Sequence, residues 1–305
     1  MHVVKARELE LTGPSQAGRP AYVSAASGLI KRGRQLFVVC DDELQLAVFD
    51  SSSDAPGVLV RLIDGELPLE TRKRKARKPD FEALVRLGPF AGHGVGALFA
   101  LGSGSREVRQ RAALLPLTES SVDAAAVRVL DASRLFEALA KEVDDVNVEG
   151  AVVIDGRLVL MHRGNARHPA SALVGFQLAP LLKSIEHDDT LGRIHVESVR
   201  HFELGKIDDA PLTFTDGCAL SDGTILFSAV AEQTDDSYAD GPCRGSAVGA
   251  IGPDGRLRRI EYLDELWKIE GIAAEPHGGK HRLWLVTDAD SVDVPAALLT
   301  GHWNG

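Results

Sequence analysis

Five short segments of this chain share one pattern, an acidic or hydroxyl residue, then a small residue, then two mostly apolar ones. They are Ser27-Gly28-Leu29-Ile30, Glu82-Ala83-Leu84-Val85, Glu149-Gly150-Ala151-Val152, Asp216-Gly217-Cys218-Ala219 and Glu270-Gly271-Ile272-Ala273, and successive copies lie 55, 67, 67 and 54 residues apart. A motif recurring at long, similar intervals marks a repeat architecture, in which each unit buries its faces against its neighbours. The spacing exceeds the roughly 40–50 residues of common propeller repeats, so each unit must carry an additional loop or helix.

Each copy is followed by a polar turn and a strongly apolar strand: Gln35–Val39, Ala97–Leu101, Arg157–Met161, Thr224–Ser228 and Arg282–Val286. A third strand follows at Leu46–Phe49, Ala112–Leu115, Leu173–Phe176, Ala247–Ala250 and Ala297–Thr300. Fourth strands read at Val58–Leu62, Ala126–Leu130, Ile194–Val199 and Leu257–Ile260. The dipeptides Asp155-Gly156, Asp222-Gly223 and Asp254-Gly255 suit hairpin turns that need positive φ. The fifth unit ends near Trp303 without a fourth strand, and Val4–Leu11 precedes the first unit. The expectation is a single all-β domain over residues 1–305: a five-bladed β-propeller of four-stranded blades, closed by the N-terminal strand, with a six-bladed propeller as the alternative. Such closure removes open sheet edges.

Helical patterning is confined to Ser133–Lys141 and, more weakly, Pro180–Ile185. The basic run Arg72–Lys78 reads as a solvated loop whose last lysine, Lys78, together with Asp80, is a candidate for the edge of an anion site. A formal net charge of −10 argues against a nucleic-acid backbone as the main partner. Three cysteines, Cys40, Cys218 and Cys243, show no metal-pair spacing and suggest a reducing compartment. Residues 1–8 lack a signal-peptide core, and no run of about 18 apolar residues occurs, so a cytoplasmic protein without a membrane partner is expected.

In a propeller, equivalent positions of the inner strands converge around the axis. Glu82, Glu149, Asp216 and Glu270, with Ser27 in the fifth unit, should therefore meet in a channel. Confined carboxylates repel and need a compensating cation. An oxygen-rich ring suits calcium or magnesium. The alternative is a solvated channel whose acids cap backbone amides of neighbouring strands.

A second polar ring is expected where the second strands emerge on the same rim. Its candidates are Asp41 and Asp42, Ser103 with Ser105 and Arg106, His162 with Arg163 and Asn165, Glu232 with Asp235 and Asp236, and Asp288 with Asp290. Asn147, Lys268 and Arg244 join them, and the polar loop from Glu232 to Arg244 is a candidate cover for the rim. The Arg and Lys members would pair with the acids or hold a small anionic ligand. The stretch Gly102–Ser105 lacks the lysine and helix of a phosphate loop, and no serine has nucleophile-elbow surroundings.

The units Val148–Val152 and Ile269–Ala273 resemble the inner-strand motif of a bacterial propeller group that includes the SdiA-regulated proteins and phytase-like esterases. They are more distantly similar to gluconolactonase-type and strictosidine-synthase-type propellers. With stretches such as Leu101–Ser105 and Val286–Asp290, the whole chain looks most like an uncharacterised bacterial family of that group. The resemblance implies a glutamate beside glycine holding a channel metal, and a metal-dependent hydrolase of phosphoesters or lactones. The chain departs from the lactonase pattern, whose asparagine ligands are represented by Asn147 and Asn165 alone. A non-catalytic binding or scaffold propeller is the competing expectation, since fold alone does not imply chemistry.

Overall fold

The hydrophobic pattern of the second strands is explained by what flanks them. Leu36 and Val38 pack with residues of the fifth unit, while Phe37 and Val39 pack with residues of the second. A strand covered on both faces has no reason to alternate. The structure, a computed structural model, describes residues 1–165, 170–192, 194–233 and 241–305. It is all-β, with five antiparallel sheets arranged as a five-bladed β-propeller.

Strand β1 spans Val3–Glu8. Blade one holds β2 (Ala26–Arg32), β3 (Gln35–Cys40), β4 (Gln45–Asp50) and β5 (Val58–Arg61); blade two holds β6 (Phe81–Leu87), β7 (Ala97–Gly102), β8 (Arg111–Pro116) and β9 (Arg128–Asp131). Blade three holds β10 (Val148–Ile154), β11 (Arg157–His162), β12 (Ser171–Gln177) and β13 (Val196–Phe202). Blade four adds a two-residue strand, β14 (Lys206–Ile207), to β15 (Ala210–Ala219), β16 (Ile225–Glu232), β17 (Cys243–Ile251) and β18 (Leu257–Tyr262). Blade five holds β19 (Ile269–His277), β20 (Lys280–Thr287) and β21 (Ala297–Trp303), and β1 is its fourth strand, with Val3 opposite Gly301. The closure expected from the sequence is therefore present.

Each inner strand, β2, β6, β10, β15 and β19, packs most extensively against two others, so the five form a ring around the axis. Five apolar clusters hold the blades together, each spanning two adjacent blades. The cluster between blades two and three is extended by two helices, α2 (Ser133–Leu139) through Phe136 and α3 (Leu178–His187) through Leu181 and Ile185.

Two local readings change. Residues Thr71–Arg77 form a helix, α1, where a loop was expected. Lysine and arginine are good helix formers, and Arg74 is buried against Asp42 O at 2.7 Å and Pro68 O at 3.2 Å. A run with no apolar stripe gives periodicity nothing to detect. Of the three Asp-Gly turns, only Asp155-Gly156 has both residues at positive φ, 48° and 72°. In the others only glycine does, and the Asp222 and Asp254 side chains instead accept from the N–H two residues on.

Candidate functional site at the axial cavity

Every inner strand carries a β-bulge, at its start in four blades and in the middle of β15 in blade four, and the bulge decides which side chain faces the axis. Pairing skips Glu82, Glu149 and Glu270 in blades two, three and five, and Ser27 with Gly28 in blade one. In blade four it skips Thr215 instead. The register is displaced by one residue there, and in a strand one residue reverses the face. Ser27, Glu82, Glu149 and Glu270 accordingly line the axial cavity, and Thr215 takes the equivalent place in blade four, its hydroxyl donating to Ile269 O at 2.8 Å.

Asp216 falls in the layer below, where the other blades have Gly28, Ala83, Gly150 and Gly271. It is 0% exposed, and its Oδ2 accepts from Ile272 N of blade five at 3.0 Å and Leu29 N of blade one at 3.3 Å. The small residues leave it room, since a Cβ on Gly150 would stand 2.6 Å from the Asp216 Cα. Burial pushes its carboxyl well above the usual range, against the pull of those backbone N–H groups. Of the four carboxylates expected around the channel, Glu82, Glu149 and Glu270 thus line the cavity, and Asp216 is instead an amide cap across blades.

The cavity has a volume of about 410 Å³. On its first side lie Asp41 after β3, Lys78 and Asp80 before β6, and Arg109. Lys78 Nζ is paired with Asp41 and stands 2.8 Å from Asp80 Oδ1, while Arg109 Nη1 is 2.7 Å from Asp80 Oδ2 and Ser103 donates to the same oxygen at 2.5 Å. Asp80 holds φ at 58°, an uncommon conformation outside glycine. Above them, Arg19 reaches Asp42 and Glu43 at 2.5 and 2.8 Å, and Arg74 of α1 reaches Glu43 at 2.9 Å.

Across the cavity, Arg163 pairs with Glu232 and lies 3.5 Å from Glu149, which also accepts from Asn147 Nδ2 at 2.5 Å. Lys268 makes its short contact to Asp290, 2.6 Å, and stands 3.3 Å from Glu232 and 3.5 Å from Glu270. Asp288 accepts from Asp290 N at 2.7 Å. Asn165 also lines the cavity and donates to Asp145 at 2.5 Å.

The charges perturb one another strongly. Burial, reinforced by Glu149, Asp80 and Asp41, raises the Glu82 carboxyl well above the usual range. Burial also raises Glu270 well above its range, against Lys268 and Arg163. Asp288 is raised to about 8 by burial, with Asp41 and Asp290 adding to it against Lys268. Burial alone would lower the two lysines, but the acids around them win: Asp41, Asp80 and Glu82 hold Lys78 well above its ordinary range, and Glu270, Asp288 and Glu232 do the same for Lys268. Asp80 ends below its ordinary range because Lys78 and Arg109 outweigh its burial.

One group of oxygens has the chemistry of a hard-cation site. Asp41, Asp80 and Glu82 each offer a carboxylate oxygen, and the three lie within 4.8 Å of one another. All-oxygen donors suit calcium or magnesium. Of the four carboxylates expected to hold a metal, Glu82 is the one in this group; Glu149 and Glu270 line the same cavity with Arg163 and Lys268 as neighbours.

Most other expected residues also come together: Ser27, Lys78, Asp80, Asn147, Arg163, Asn165, Glu232, Lys268 and Asp288 all line this cavity. Arg106 does not. It is exposed at the edge of a short turn, and Arg109, three residues on, takes the inward place. Arg244 is exposed and bonds Gln233 at 3.2 Å. His162 is buried, accepts from Asn147 N at 3.3 Å, and is lowered to about 4 by burial. Asp235 and Asp236 lie outside the described residues. The sequence reading missed Arg19 and Arg109 and reached Arg74 only as part of the basic run, since the positions of all three depend on segments outside the repeat.

The chain belongs to a family of unknown function, DUF6929. The match covers residues 22–301, from just before the first inner strand to the last strand of blade five. No curated protein matches the sequence significantly. Among solved structures, the glutaminyl cyclase of Myxococcus xanthus is similar over 99% of this chain and 97% of that one, with a TM-score of 0.50 and 12% identity. A luciferin-regenerating enzyme gives 0.46 and 7%, covering 93% and 94%. A gluconolactonase from Xanthomonas campestris gives 0.33 and 18%, covering 69% and 57%. At these identities the likeness concerns the fold. Among the described residues, no helix is long and apolar enough to cross a membrane.

Proposed function

We propose that the axial cavity is the site of a divalent-cation-dependent hydrolase acting on a small anionic phosphoester or lactone. The observation that carries this reading is the oxygen group of Asp41, Asp80 and Glu82, set in a cavity of about 410 Å³ with further cations facing it. Glu82 is the uncommitted member: among the described residues its carboxylate makes no hydrogen bond or ion pair, whereas Lys78 already serves Asp41 and Asp80. A calcium or magnesium ion on these oxygens would supply a Lewis acid and a bound water of lowered pKa.

The chain's own groups supply the remaining roles. Arg163 and Lys268 offer positive charge to an oxygen on which negative charge develops. Asp288, ionising at about 8, holds or releases a proton near neutrality. Asn147 fixes the Glu149 carboxylate toward Arg163. The two ester classes come from the resemblance of the inner-strand motif to that of phytase-like esterases and lactonase-type propellers. The free thiols of Cys40, Cys218 and Cys243 support a cytoplasmic setting for this one-domain chain.

Metal analysis of the purified protein, melting curves with calcium, magnesium or chelator, and a panel of phosphoesters and lactones test the reading. A cation should raise the melting temperature, and Glu82→Gln should remove both that rise and the hydrolysis. If no cation moves the melting curve and no ester is cleaved, the hydrolase reading fails. Ligand binding without turnover would make this a non-catalytic binding propeller.

A further inference from the structure

We infer that the molecule bound in the axial cavity is a zwitterion, carrying an ammonium group as well as the anionic ester or phosphate. The inference deepens the hydrolase reading above and rests on it for the identity of the reacting group. Its basis is the uneven distribution of charge around the axis. On the side of blades one and two, five bases, Arg19, Arg74, Lys75, Lys78 and Arg109, are matched by four lining carboxylates and by Glu43, which pairs with Arg19 and Arg74. On the side of blades three to five, two bases, Arg163 and Lys268, face five: Glu149, Glu232, Glu270, Asp288 and Asp290. A divalent cation on Asp41, Asp80 and Glu82 would steepen this difference, because it would add positive charge to the balanced side.

A second observation locates the ammonium. Glu232 is 4% exposed and Glu270 is 5% exposed. The nearest oxygen of each lies 3.3 and 3.5 Å from Lys268, whose 2.6 Å contact goes to Asp290. Glu232 Oε1 and the Glu270 carboxylate receive no hydrogen bond among the described residues. Buried carboxylate oxygens at ion-pair distance from a lysine whose short contact lies elsewhere can accept from a further N–H group. A ligand ammonium brings three such donors. Its anionic end would then lie toward Arg109, Lys78 and the oxygen group, about the width of the cavity away. An anion without an ammonium leaves the excess of carboxylates on the acidic wall uncompensated.

Binding of two matched pairs to the full chain separates the possibilities. One pair is 2-aminoethyl phosphate and n-propyl phosphate, which exchange an ammonium for a methyl group; the other is α-amino-γ-butyrolactone and γ-butyrolactone. Calorimetric titration with and without calcium should show the ammonium-bearing member of at least one pair binding about tenfold tighter or more, as expected for a hydrogen-bonded charge pair. The preference should vanish in Glu270→Gln/Asp288→Asn, and in Glu232→Gln should the double variant fail to fold. Equal binding within both pairs, binding of no member, or a preference that survives in a folded variant overturns the inference. Cation-dependent cleavage of n-propyl phosphate without ammonium preference would sink this inference alone. Ammonium preference without cation dependence or turnover would sink the hydrolase reading alone.

Discussion

The inner strands of blades three and four carry the same motif, Glu149-Gly150 and Asp216-Gly217, and put their acids to opposite uses. Glu149 faces the cavity beside Arg163 and Asn147. Asp216, one residue later in its own ladder, is turned away from the cavity and ties blade four to blades one and five through two backbone N–H groups. The difference lies in which residue the bulge skips, Glu149 in one strand and Thr215 in the other. It teaches that in a bulged strand the position of an acid within a motif does not determine where it points. The phase of the bulge does, and that phase is set by pairing with the second strand.

The largest effect expected from this contrast is on stability. Asp216→Ala orphans two buried N–H groups and should cost about 2–5 kcal/mol in urea unfolding, whereas Asp216→Asn and Glu149→Gln, which keep an acceptor, should each stay within about 1 kcal/mol. A cost for Glu149→Gln as large as that for Asp216→Ala would reverse the assignment. Next comes cation linkage. Calcium at a hundred times its dissociation constant should stabilise the wild type by about 2.7 kcal/mol. That gain should persist in Asp216→Asn and disappear in Glu82→Gln, read as paired melting curves.

Gly150→Ala sharpens the comparison further. Its new methyl would meet the Asp216 Cα at 2.6 Å, a backbone contact that cannot swing aside, and should cost about 1–3 kcal/mol. A further effect is spread over pH. Glu82, Glu270 and Asp288 are raised in the folded protein, so their stability is complete below the unfolded carboxyl range and is lost as pH rises through the folded values. Lys78 and Lys268, raised well above the lysine range, stay charged throughout this interval. In chelator, the wild type should therefore lose stability steadily as pH rises from 5 to 8. Saturating calcium should flatten that slope, and a slope of the opposite sign would contradict the carboxyl assignments.

Much of the fold was legible because propeller blades repeat their pattern and their second strands are apolar on both faces. Leu36-Phe37-Val38-Val39 and its four counterparts announced buried strands, and Val4–Leu11 announced the closure that β1 makes with β21. The site was legible to the same extent that it grows from the repeat. Glu82, Glu149 and Glu270 sit at equivalent bulges, and Asn147 and Lys268 two residues before theirs, so the alternation of the strand carries them into the same cavity. Arg74 and Arg109 were not legible, because a basic helix without an apolar stripe and a single turn after β7 leave no periodic trace.

By itself, then, the sequence determined the number of blades, the order of their strands and the ring of acids around the axis, since these follow from local hydrophobic period and from repetition. The tertiary structure alone decided that the ring holds three carboxylates, that Asp216 serves the backbone, and that Asp41 and Asp80 join Glu82. Ladder register and the meeting of loops from different blades are long-range pairings, and no local pattern encodes them.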